Sequence, residues 1–171
     1  MLRGKAFKFG DNISTDHIVP GRLLHLRSNL PELAKHTLED ADPTFVQRVK
    51  KGDFVVAGNN FGLGSSREHA PLVIKMSGVS AILAKSVARI FFRNAINQGL
   101  PVFICDTVNI NDGDELEIDL KSGKISDLTS GVELHAGRLP EIMLRILNEG
   151  GLVPYIKKHK GFTVSPADKQ A

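Results

Sequence analysis

Apolar and polar positions alternate most regularly in the middle of the chain. Asp53-Phe54-Val55-Val56-Ala57 is a short, almost continuous apolar run, the pattern of a strand covered on both faces. From Ser66 to Ser77 the spacing changes: Ala70, Val73, Ile74 and Ser77 fall at i, i+3, i+4 and i+7, which predicts a helix, and Gly78 supplies its C-terminal cap. Ser80 to Ala84 is again a buried run. Ser86 stands where a helix N-cap is expected, and the helix it would open runs to Gln98, before Gly99. Val102 to Cys105 closes the series. Strand, helix, strand, helix, strand predicts a parallel sheet, because parallel neighbours need a crossover that a helix supplies.

The flanks are less regular. Gly4 to Phe9 reads as a strand, followed by polar loop residues from Gly10 to Asp16. Gly21 to Asn29 is an irregular basic stretch holding Arg22, His25 and Arg27. Pro31 starts a short helix to about His36, and Pro43 another to about Lys50. Beyond the parallel unit, Asp114 to Leu120 alternates, Ser122-Gly123 is a turn, and Lys124 to Leu128 returns, which predicts a hairpin. Leu139 to Asn148 is an amphipathic helix with Gly150 after it. Residues 161–171, with Ser165-Pro166-Ala167-Asp168, read as a mobile tail after a domain spanning 1–160.

Composition narrows the functional classes. The chain has 171 residues, 42% hydrophobic and 24% charged, enough for one domain with its own core. No apolar run approaches the roughly 20 residues that cross a bilayer, and Met1-Leu2-Arg3-Gly4-Lys5 lacks the apolar stretch of a signal peptide, so the expectation is a cytoplasmic protein without membrane contact. A net charge of +3 suits a small anionic substrate at least as well as nucleic acid. A single cysteine, Cys105, rules out an internal disulfide and a self-contained iron–sulfur site, which takes about four thiolates. Any cluster this chain works with sits on another chain. Cys105 itself, at a strand end, reads as packing.

The candidate chemistry lies between the first buried strand and the first helix, in Gly58-Asn59-Asn60-Phe61-Gly62-Leu63-Gly64-Ser65-Ser66-Arg67-Glu68-His69. Glycines permit tight turns and close backbone approach to a ligand. Free N–H groups at a helix start attract an anion, and Arg67 adds a planar fork suited to a carboxylate. In such a field Ser65 becomes a candidate proton acceptor without a histidine partner. The same four residues, Ser65-Ser66-Arg67-Glu68, also match a capping box, which needs no function. The Gly-Lys-Ser/Thr ending of a phosphate-binding P-loop is absent. Pro71, falling near the second turn of the expected helix, reads as a local kink.

Three segments, in this order and spacing, resemble the swivelling domain of the aconitase family: Gly10 to Ile18 (Gly-Asp-Asn-Ile-Ser-Thr-Asp-His-Ile), Gly58 to Pro71, and Ala84 to Gly99. The likeness covers roughly residues 4 to 160, and the chain length is that of the family's stand-alone small subunits. It implies an α/β domain of three β/β/α layers with a mainly parallel central sheet. That domain closes over a [4Fe–4S] cluster held by a large partner subunit, in a heterodimer or heterotetramer. The reaction implied is a hydro-lyase isomerisation of a 2-hydroxy di- or tricarboxylate through an enoic acid, 2-isopropylmalate to 3-isopropylmalate in leucine biosynthesis being the first expectation. Homoaconitate, citraconate and dimethylmaleate are the alternatives. Carried over residue by residue, Ser65 is the base, Ser66 donates to substrate, and Arg67 binds a substrate carboxylate and stabilises the serine alkoxide. Asp16 orients the site; without the resemblance it reads as an Asx-turn residue. Arg22 to Ser28 falls at the family's specificity loop, where Arg27 matches the arginine that meets the distal end of the substrate. It lacks the tyrosine common in relatives and carries one extra residue; the plain alternative for Arg27 is a solvated side chain.

The six histidines show no metal-site spacing. Arg89 and Arg93, at i and i+4, face either a carboxylate or a partner, or form surface ion pairs. Lys157-Lys158-His159-Lys160 reads as a solvated helix end. An RNA-binding module is the competing class: the pI near 9.1 permits it, but no RNP, KH or stacking-aromatic pattern supports it.

Overall fold

The computed structural model describes residues 1–162; of the tail expected at 161–171, the part from 163 onward lies outside the described residues. Seven strands form one sheet in the order β4-β3-β2-β1-β5-β6-β7. The parallel half is β1 (Leu2–Lys8), β2 (Phe54–Ala57), β3 (Ala81–Ala84) and β4 (Val102–Ile104). The antiparallel half is β5 (Glu115–Ile118), β6 (Lys124–Asp127) and β7 (Glu133–His135), the last a strand that the alternation did not reveal.

β1 belongs to both halves. Ala6 to Lys8 pair with β2, whereas Leu2 to Lys5 pair with β5. Where β2 gives out, the buried Asp53 takes over the backbone donors. Its carboxylate accepts the N–H of Lys5 at 2.9 Å and of Lys50 at 2.8 Å.

Alternation along the strands explains the layers. Phe7, Phe9, Val55, Ala57, Ile82, Ala84 and Val102 point to one face and pack with Ala70, Val73, Ile74, Phe91 and Ala95 of the helices. Ala6, Phe54, Val56, Ala81, Leu83 and Phe103 point to the other and meet Leu116, Ile118 and Ile125 of β5 and β6. The antiparallel arm therefore lies over the face that the helices leave open. Both faces of β2 and β3 are dry, which is why those strands read as unbroken apolar runs. The result is a β layer on a β layer on an α layer, the parallel pairing being confined to the strands under the helices.

The helices are α1 (Thr15–Ile18), α2 (Leu30–Ala34), α3 (Phe45–Arg48), α4 (His69–Met76), α5 (Arg89–Asn97), α6 (Glu141–Asn148) and α7 (Leu152–His159), with a 3-10 helix over Gly21–Ser28. Helix starts are where the sequence pattern fails. α4 begins at His69, not at Ser66, and its N-cap Glu68 makes no side-chain cap bond, so the capping box expected over Ser65 to Glu68 is not formed. Pro71 consequently falls in the first turn, where its missing N–H has no intrahelical acceptor to lose, and no kink is needed. Ser86 does not cap α5; that helix starts at Arg89, and the Ser86 hydroxyl accepts the N–H of Asn60 at 2.8 Å instead. Ser86 thus serves a long-range loop contact that no local pattern encodes.

Candidate active site

The three segments singled out in the sequence follow the C-terminal ends of β1, β2 and β3 and run side by side as a continuation of the parallel sheet. Thr15 N–H donates to Leu63 O at 2.8 Å, and Gly62 N–H to Ile13 O at 2.7 Å. On the other side Phe61 N–H donates to Ser86 O at 3.1 Å, and Ala88 N–H to Phe61 O at 2.9 Å. The Asp11 carboxylate accepts Asn59 N–H at 2.6 Å. Beneath this layer Phe61 and Phe91 meet edge to face, centroids 5.3 Å apart. Gly62 passes directly over Phe91: its φ is +76°, and a Cβ there would lie 2.3 Å from the Phe91 ring. The glycine is required both by the backbone conformation and by the space.

This layer fixes where the candidate chemistry sits. α1 is a single turn held by a reciprocal cap: His17 N–H donates to Ser14 Oγ at 3.2 Å, and Ser14 N–H to His17 Nδ1 at 2.9 Å. The turn drives Thr15 inward and Asp16 outward. Ser65 follows the bridged Leu63 by two positions, and its Oγ lies 3.4 Å from Thr15 Oγ1. Arg67 returns across the same turn. Its Nη1 donates to Val19 O at 2.8 Å and more weakly to Thr15 O at 3.5 Å, and it contacts Asp16 Oδ1 at 2.5 Å. The Asp16 side chain is 69% exposed, so that ion pair alone contributes at most about 1 kcal/mol. The bond to Val19 O, with the Arg67 side chain only 15% exposed, is what orients the guanidinium. Among the described residues every protein contact of this guanidinium falls on Nη1, which leaves Nη2 and Nε for a ligand carboxylate.

Of the five site residues expected from sequence, Arg67 and Asp16 are in direct contact, and Ser65 meets them through Thr15. Ser66 is exposed next to them. Arg27 lies on the exposed 3-10 helix, free of ion pairs among the described residues, whereas its neighbour Arg22 is tied to Glu39 at 2.7 Å and Asp40 at 2.8 Å. The charge of Arg27 is nonetheless felt at the site. The His69 imidazole is held below its usual pKa first by burial, then by the positive charges of Arg67 and Arg27, against a smaller opposing effect of Glu68. Its Nε2 is buried without a partner among the described residues. Thr15 is the residue here that the sequence reading did not single out; its only signal was membership of a motif, because its contact with Ser65 joins segments distant in sequence.

One expectation changes. α4 starts too late for its N-terminal field to act strongly on Ser65, because that field fades within a turn and Ser65 precedes the N-cap Glu68. The positive charge beside Ser65 comes from Arg67.

No three His, Cys, Asp or Glu side chains among the described residues are grouped to hold a metal. Cys105 is buried and its thiol is pushed up to about 11, chiefly by desolvation and further by Asp106, so it stays protonated near neutrality. The donor set of this chain does not fit an iron–sulfur cluster. No helix is long and apolar enough to cross a membrane.

Comparison with known proteins agrees with this geometry. Residues 27–105 match the family described as Aconitase C-terminal domain. The chain is 65% identical over 156 residues to 3-isopropylmalate dehydratase small subunit 2 of Archaeoglobus fulgidus, covering 91% of this chain and 94% of that one. It is 50% identical over 160 residues to the isopropylmalate/citramalate isomerase small subunit of Methanocaldococcus jannaschii, covering 92% and 95%. A crystal structure of 3-isopropylmalate dehydratase from that organism superposes with a TM-score of 0.89 at 46% identity, covering 93% of this chain and 95% of the other. With the ordered motifs, the β/β/α layers and the serine–arginine loop all in place, the chain belongs to the aconitase family, among the small subunits of 3-isopropylmalate dehydratase.

Proposed function

We propose that this chain supplies the base and the carboxylate clamp of a two-chain cytoplasmic hydro-lyase that interconverts 2-isopropylmalate and 3-isopropylmalate in leucine biosynthesis. The observation that carries the reading is the exposed Ser65 standing beside an arginine whose orientation is fixed by Val19 O and Asp16. Arg67 binds a substrate carboxylate and lowers the cost of an anionic Ser65 oxygen. Ser65 then takes the proton from the carbon next to a carboxylate; that C–H electron pair becomes the double bond as the hydroxyl leaves. Water then adds the other way round: its hydroxide goes to the carbon that lost the proton, and Ser65 delivers a proton to the carbon that lost the hydroxyl. Ser66 donates to the substrate, Asp16 keeps Arg67 in place, and Arg27 meets the distal end. A [4Fe–4S] cluster carried by the large subunit supplies Lewis-acid binding of the departing hydroxyl and a carboxylate when the two chains are joined, as heterodimer or heterotetramer. Residues 1–160 act as the unit that closes over it.

A second substrate is favoured by one observation, the isopropylmalate/citramalate name of a relative 50% identical to this chain. Homoaconitate calls for an extra cationic contact, for which Arg27 is available; Leu23, Leu24 and Leu26 on the same 3-10 helix, partly buried against the core, suit the apolar end of isopropylmalate. Competition kinetics among the acids, with Arg27→Ala alongside, separates these readings. The central test is Ser65→Ala mixed with a cluster-loaded large subunit. Turnover is expected to fall by at least about a thousandfold with assembly intact; full activity in that variant refutes the assignment of the base.

A further inference from the structure

The Thr15 hydroxyl is out of place for a core residue. The side chain is only 2% exposed, yet it carries an O–H that needs a partner. Among the described residues the one group within reach of Oγ1 is Ser65 Oγ, at 3.4 Å. The backbone of Thr15 is held on both sides: its N–H donates to Leu63 O at 2.8 Å, and its carbonyl accepts Val19 N–H at 2.9 Å and Arg67 Nη1 at 3.5 Å. Thr15 is thus attached to the strand before Ser65 and to the arginine after it. Gly64, immediately before Ser65, has φ +108°, and a Cβ there would lie 3.0 Å from Thr15 Oγ1. The glycine lets the threonine hydroxyl approach the serine, so the short route between the two oxygens is built by both segments.

We infer that Thr15 is a positioning residue that orients the Ser65 side chain and donates its hydroxyl hydrogen to the Ser65 oxygen when that oxygen is anionic. The inference rests on the reading of Ser65 as the base. While Ser65 is protonated, either hydroxyl donates to the other. Once Ser65 is an alkoxide it has no proton left, and Thr15 is then the donor by necessity. A hydrogen bond to a charged oxygen is stronger than one between neutral hydroxyls, so the contact from the buried Thr15 favours the ionised serine and lowers its pKa.

The test uses the full chain assembled with a cluster-loaded large subunit. Thr15→Val preserves shape and removes the hydroxyl; Thr15→Ser keeps the hydroxyl and loses a methyl. In Thr15→Val kcat is expected to fall by about 10- to 100-fold with KM within about twofold, and the basic rise of the kcat–pH profile is expected to move to higher pH. Thr15→Ser is expected to restore kcat to within about fivefold of the parent, with the profile back in place. Equal losses in both variants, or a lower kcat in Thr15→Val with an unmoved pH profile, would show a merely structural role and overturn the inference. Full activity in Thr15→Val while Ser65→Ala is inactive overturns the inference alone; an active Ser65→Ala overturns the underlying assignment as well.

Discussion

At the scale of single residues, the site depends on positions whose side chains are small or absent. Gly62 crosses over the Phe91 ring with φ +76°. Gly62→Ala combines left-handed strain with a clash into a packed ring, and is expected to destabilise the chain by about 2 to 4 kcal/mol, measured as a shift in urea midpoint. A variant as stable as the parent would show that the loop relaxes freely. His69 gives a second prediction. Burial, Arg67 and Arg27 together lower its pKa, so the folded state disfavours the imidazolium. Folded and unfolded forms then differ once pH falls through the unfolded value, near 6.5, because the unfolded chain takes up a proton there that the folded chain resists. Stability is full above that pH and is lost as the solution is acidified below it. His69→Gln is expected to lose less stability than the parent between pH 7.5 and about 5.5, by denaturant titration at each pH; parallel curves would count against it.

At the scale of elements, the strands other than β7 were legible and the starts of α4 and α5 were not. β2 and β3 were read to within a residue because burial on both faces leaves a continuous apolar run. The loops after β1, β2 and β3 pair through bridges at Ser14–Leu63 and Phe61–Val87. Ser86 is taken up by the second pairing and Ser65 meets Thr15 instead of capping a helix, although the local pattern of both suggested caps. α6 and α7 show a different economy of contacts. Tyr155 is wholly buried with Ile96 and Ile146, and its ring lies 4.5 Å from that of His159. Its hydroxyl has no partner among the described residues. An orphaned buried hydroxyl costs more than it contributes, so Tyr155→Phe is expected to raise stability by about 1 kcal/mol, read from thermal or urea unfolding. A clear loss would reveal a partner for that oxygen.

At the scale of the whole molecule, the proposed function makes the chain one side of an active site. Ser65, Ser66 and Asp16 are exposed in the segments after β1 and β2, and Arg27 is exposed on the 3-10 helix. The sole cysteine is buried elsewhere with its thiol held protonated. The isolated chain is therefore expected to turn over no substrate, and Ser65→Ala is expected to co-elute with the large subunit as the parent does, since the substitution removes one exposed hydroxyl. Failure of that variant to assemble would move Ser65 from chemistry to docking.

The amino-acid sequence by itself determined the parallel strand–helix unit, the location of the serine loop and the inability of this chain to hold an iron–sulfur cluster alone. Those follow from apolar periodicity, from glycine placement and from a count of thiols, all of which are local or compositional. What only the tertiary structure decided is which side chains meet. Asp16 and Arg67 are distant in sequence and in contact in space, the Thr15 hydroxyl has Ser65 as its partner, and Asp53 closes the division of the sheet. Such pairings arise when separate segments are laid against one another by the burial of apolar surface, and nothing in the spacing of residues along a chain records them.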